Sequence, residues 1–139
     1  MAGRPPARLE AFAAWFHAFG DAWEHADADE MAGLFVLGAS YQPAPFAELV
    51  RGRRQVSEHW RTLLTGMRDV HFRAQVLGVG DTYGAAHFRV SWVRPGSATA
   101  TLRDGVLLAA LDKRGRCTSL REWSHETADA EAVDFDQEG

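Results

Sequence analysis

Residues 9–24 carry apolar positions at the period of a helix. At 100° per residue, Leu9, Phe12, Trp15, Phe16, Phe19 and Trp23 share one arc of about 120°, with Glu10, His17, Asp21 and Glu24 opposite. That spacing predicts a helix laying an aromatic stripe on an apolar partner. A second helix is expected at once. Asp27 and Glu30 have the spacing of a capping box, Met31, Leu34 and Phe35 make an inner face, and Gly38 suits the stop. Residues 40–42 read as a short strand, and residues 43–46, with two prolines, as an irregular crossing. A third helix is predicted over about residues 52–65. Val56, Trp60, Leu63 and Leu64 stand at i, i+4, i+7 and i+8, and Gly66 ends it.

After Met67 the period changes to two. Val70, Phe72, Ala74 and Val76 alternate with His71, Arg73 and Gln75, and Phe88, Val90 and Trp92 with His87, Arg89 and Ser91. Residues 94–97 form a turn, 99–111 a long strand, 112–115 a hairpin turn, and 116–126 the last strand. Three helices followed by a meander of long strands is an α+β plan, with no internal repeat.

Composition adds one unusual feature to this plan. Five Trp, eight Phe and two Tyr in 139 residues require a large core, a ring-lined cavity, or both. The lone Cys117 excludes an internal disulfide and suits a reducing compartment. The longest apolar run, 106–111, is too short to span a bilayer, and Glu10, His17 and Asp21 interrupt any leader-like start. A cytoplasmic protein is expected. The net charge of −4 is uneven: residues 127–139 hold five acids and no base, which reads as a mobile acidic tail after a nearly neutral domain over 8–126. Arg51, Arg53, Arg54 and Arg61 are one local cluster rather than a nucleic-acid surface.

The run from Phe19 to Phe35 resembles the nuclear transport factor 2-like superfamily, in its SnoaL-like and ketosteroid isomerase-like branch. So do Tyr41, Pro45-Phe46, Gly52-Arg53, Trp60 and the ending Leu120 to Glu126. The resemblance spans about residues 8–126. It implies a cone, in which a strongly curved, mostly antiparallel sheet wraps the N-terminal helices around a ligand pocket. It places Trp15, Phe19, Tyr41, Phe46, Trp60, Phe88, Val90, Trp92, Leu107 and Leu120 around that pocket. It also implies a homodimer through the outer sheet face, which here carries His71, His87 and Arg89. Members of the superfamily include enzymes and non-catalytic binding domains, so fold does not settle function.

Two known chemistries of the superfamily do not transfer. The three isomerase positions, a base and two oxyanion donors, read Pro43, Phe19 and Leu107 here. An epoxide-hydrolase network needs an Arg and an Asp two apart on a strand, whereas Arg103 and Asp104 are adjacent and point to opposite faces. Glu122 and Ser124, however, share the face of Leu120, and Arg103 can face them from a neighbouring strand. An Arg beside a buried carboxylate keeps it ionised and ready to orient a hydroxyl or move a proton. An ordinary ion pair at the rim of the cone fits the same pattern.

Other residues offer less. Tyr41 could donate to a ligand carbonyl or serve only in packing. His125 alternates with Trp123 and faces away from Glu122, and His59 is turned sideways by its neighbour Trp60. The histidines lack metal-ligand spacing, Cys117 has no evident base, and no phosphate loop is present. The expectation is therefore a small-molecule pocket that needs no cofactor or metal, for a largely apolar cyclic molecule. Glu122, Arg103 and Tyr41 are the candidate catalytic groups, with Ser124 and the ring set in contact with substrate. If the domain catalyses, the expected class is isomerisation, cyclisation, dehydration or hydration. The alternative is a non-catalytic ligand-binding or dimerisation domain.

Overall fold

The computed structural model describes residues 7–130. Its elements are α1 (Ala7–Glu24), α2 (Ala28–Ala32), β1 (Phe35–Gln42), β2 (Val50–Arg51), α3 (Gly52–Leu64), β3 (Arg68–Val79), β4 (Tyr83–Val93), β5 (Ala100–Leu111) and β6 (Cys117–Ala130). The aromatic stripe of α1 is buried as its spacing predicts, at Phe12, Trp15, Phe16, Phe19 and Trp23. The indole of Trp15 donates to the Leu34 carbonyl oxygen at 3.0 Å, which ties the helix to the chain entering β1.

The second helix is shorter than its pattern suggests. The Asp27 side chain accepts from the Asp29 and Glu30 amides, a true N-cap, but Glu30 pairs with His25 instead of reaching back. The helix ends at Ala32, and Phe35 begins a strand rather than closing a helical face. Met31 and Phe35 are both fully buried. Their spacing therefore mimics one helix, although a helix and a strand supply them in turn.

The six strands lie in the order β2-β1-β6-β5-β4-β3. β1 runs parallel to β6, and every other neighbour pair is antiparallel. The sheet is curved and unclosed, and the three helices pack against it, an α+β cone. Alternation sets its faces. On β4, Ala86, Phe88, Val90 and Trp92 turn inward, and on β5 and β6, Leu107, Ala109 and Leu120 do so. The β5–β6 hairpin turns at Gly115, whose φ of 82° is costly for a residue with a β-carbon. Asp112 accepts from the Arg114 and Arg116 amides there. No helix among the described residues is long and apolar enough to cross a membrane.

Two expectations need correcting here. β6 continues past Glu126, with Thr127 opposite Leu102 and Ala130 opposite Ala100, so the first residues of the expected tail belong to the sheet. Residues 131–139 lie outside those described. Phe46 does not line the interior. It sits on the segment between β1 and β2 with its ring fully exposed, because the crossing of residues 43–49 runs outside the cone.

Candidate functional site

The cone's interior holds a connected column of rings. Phe19 meets Trp60 edge-on with centroids 5.6 Å apart, and Trp60 meets Trp23 at 4.8 Å. Trp23 reaches Trp92 at 6.5 Å, while Tyr41 lies nearly parallel to Trp60 at 6.3 Å. Trp15 stacks on Phe19 below. Phe88, Leu107 and Leu120 close the sheet side, each fully buried.

A polar cluster caps this column. Glu122, in the middle of β6, is 2% exposed and points inward. One carboxylate oxygen accepts from the Tyr41 hydroxyl at 3.2 Å. The other accepts from the Ser124 hydroxyl at 2.7 Å and from the Arg103 guanidinium at 3.3 Å. Arg103 also pairs with Glu126, which is more exposed. The guanidinium lies 5.3 Å from the Trp92 ring centroid and 5.8 Å from that of Trp23, so the cation sits on the ring column. The structure thus brings Glu122, Arg103, Tyr41 and Ser124 together, on β6, β5, β1 and β6 in turn.

Register explains how they meet. The residue opposite Glu122 on β5 is Leu107, and Arg103 stands opposite Glu126. Between them Gly105 faces Ser124. A β-carbon on Gly105 would come within 2.1 Å of the Trp123 carbonyl oxygen and 2.6 Å of the Ser124 β-carbon. The missing side chain lets the two strands close and leaves room for Arg103 to extend over position 105 to Glu122. Gly105→Ala is expected to destabilise the fold by about 1–3 kcal/mol through overpacking. Chemical denaturation of the variant checks this, and unchanged stability would mean that the strands tolerate separation.

The electrostatics follow from burial. Desolvation pushes the Glu122 carboxyl above its ordinary value, while Arg103 and the Ser124, Tyr41 and Arg103 hydrogen bonds pull it back only in part. The Tyr41 phenol is pushed well up by burial and by the neighbouring Glu122, so it stays a donor. The outer face is organised separately. Asp104 accepts from His87 at 3.0 Å and from Arg89, on the side of β5 opposite Arg103. His125 stands opposite Asp104, exposed and turned away from Glu122. Cys117 is buried, its thiol pushed up to about 12 by desolvation.

The sideways orientation read for His59 conceals its real neighbour. Its ring meets the Tyr41 ring edge-on at 5.3 Å, so it contacts the residue whose hydroxyl holds Glu122. The one signal for this in the sequence was its place beside Trp60 on α3.

Comparison with known proteins agrees with the fold. A family model described as a SnoaL-like domain matches residues 8–120, and the chain belongs to that family, within the nuclear transport factor 2-like superfamily. Among solved structures, one with a similar fold is SalBIII, described as an epoxide hydrolase/cyclase-like enzyme with a role in pyran ring formation in the polyether salinomycin. It has a TM-score of 0.69 and 17% identity, over 86% of this chain and 91% of that one. Curated proteins gave no match.

Proposed function

We propose that this SnoaL-like domain binds a small, largely apolar, cyclic molecule beside Glu122, and that it acts on it as a cofactor-independent isomerase, cyclase or dehydratase. The observation that carries the reading is a carboxylate buried in an aromatic core with three protein donors aimed at it. Burial costs a carboxylate stability, so a lone packing position would be better served by an apolar residue. A carboxyl raised above its ordinary value by burial is better matched to taking and returning a proton. The cyclase-like description of SalBIII fits this class of reaction.

In the dehydration form, Glu122 takes a proton from the carbon next to a carbonyl. The electron pair forms the new double bond as the β-hydroxyl departs, and Glu122 returns the proton to that oxygen, which leaves as water. Arg103 and Tyr41 hold the carboxylate in place, and Ser124 orients the departing oxygen. The outer sheet face, with Trp123, Val106 and the Asp104 cluster, is the proposed surface for a second copy of the chain.

A second reading has its own observation. Phe19, Trp60, Trp23 and Trp92 touch in an unbroken series, which also suits a packed, non-catalytic binding or dimerisation domain. Conversion of 3-hydroxycyclohexanone to its enone, followed by absorbance, separates the two. The enzymatic reading expects acceleration by the wild type and a loss of about 10²–10⁴-fold in Glu122→Gln. No acceleration, or equal rates in wild type, Glu122→Gln and Tyr41→Phe, would favour the packed domain.

A further inference from the structure

A cleft of about 600 Å³ opens between residues 43–49 and α3. That volume is in the range of small-molecule sites. Leu49, Val50 and Leu63 give it an apolar wall, and Gln55, Thr62 and His59 add hydrogen-bonding groups. Its carboxylates are Glu48 and Glu58, the latter paired with Arg54, so its charge disfavours anions. His59 connects the cleft to the interior, since its ring abuts Tyr41 and Tyr41 holds Glu122. Burial and the positive charge of Arg103 lower the imidazole from its ordinary 6.5. At neutral pH the ring is therefore uncharged, with one nitrogen donating and the other accepting.

We propose that this cleft is a ligand-binding site for an uncharged molecule with an apolar ring and one hydroxyl or carbonyl group, recognised by His59. It adjoins the Glu122 site through the contact of His59 with Tyr41, and only that link rests on the function proposed above. The apolar wall takes the ring and His59 meets the oxygen. A carboxylate in the same position would face Glu48 and Glu58 across a partly desolvated space.

Cyclohexanol and cyclohexanecarboxylate are the probes, because they share one apolar body. Binding is followed through the His59 imidazole resonances. Cyclohexanol should shift them saturably, with the carboxylate at least about tenfold weaker because its charge faces Glu48 and Glu58. Thr62→Trp, at an exposed position on the lining, should fill the cleft and abolish the shift in a folded protein. His59→Gln should weaken cyclohexanol by about tenfold, read by calorimetry. No saturable shift, equal binding of the carboxylate, or a shift that survives Thr62→Trp would overturn the proposal. Glu122→Gln separates the two readings. If it abolishes turnover but leaves cyclohexanol binding within twofold, both stand. Cleft binding in a wild type without turnover counts against the enzymatic function alone.

Discussion

Arg103→Met should destabilise the protein by about 3–5 kcal/mol at neutral pH, the usual consequence of removing one partner from a buried ion pair. The side chain that remains, Glu122, is 2% exposed and would keep only the Tyr41 and Ser124 hydroxyls. Methionine preserves much of the apolar stem over Trp23 and Trp92, so the loss reports mainly on charge. The effect must also depend on pH. The folded Glu122 carboxyl already lies above its unfolded value, so the native state binds the proton more tightly. Its contribution is most favourable below the unfolded value and is lost as pH rises through the folded one. Without Arg103 the folded value moves higher still, and the defect should shrink as the solution is acidified. Urea denaturation of both proteins at neutral and mildly acidic pH checks this. A defect that does not change with pH would mean that Arg103 stabilises by packing alone.

Trp23→Ala should cost about 3–5 kcal/mol, the range for a large ring removed from a core. Trp23 contacts Phe19, Trp60, Phe72, Phe88 and Trp92, and its indole donates to the Met67 sulfur at 3.2 Å. It also carries Arg103 on its face. Its loss should therefore be felt at Glu122. Water admitted to the ring column would relieve the desolvation that raises the carboxyl, and its titration should move down toward the ordinary range. Calorimetric unfolding and a titration of the variant measure the two effects together. A stable variant with unchanged Glu122 would show that the ring column and the polar cluster are energetically separate.

Much of this arrangement is written in the local periods of the chain. Helical spacing placed the stripe from Phe12 to Trp23 inward, and alternation put Glu122 and Ser124 on the face of Leu120. The adjacency of Arg103 and Asp104 sent them to opposite sides, where one meets Glu122 and the other His87 and Arg89. What local period cannot carry is register between strands. That Arg103 stands opposite Glu126, and reaches Glu122 past Gly105, depends on a pairing set far from either residue. Burial of Met31 and Phe35 at helical spacing concealed a change from helix to strand. The two prolines near Phe46 marked an irregular segment without saying which way its ring would turn. His59 escaped for a related reason: its partner Tyr41 lies on another element, brought near only by tertiary packing.

The most direct test of the account is the titration of the Glu122 carboxyl itself, followed by carbon NMR of the labelled protein and assigned with Glu122→Gln. The midpoint is expected above the ordinary 4.5 and should move higher in Arg103→Met. A midpoint at or below 4.5, unmoved by that substitution, would contradict it. Glu122 would then be a well-solvated ion-pair member, and the buried carboxylate on which the proposed chemistry depends would not exist.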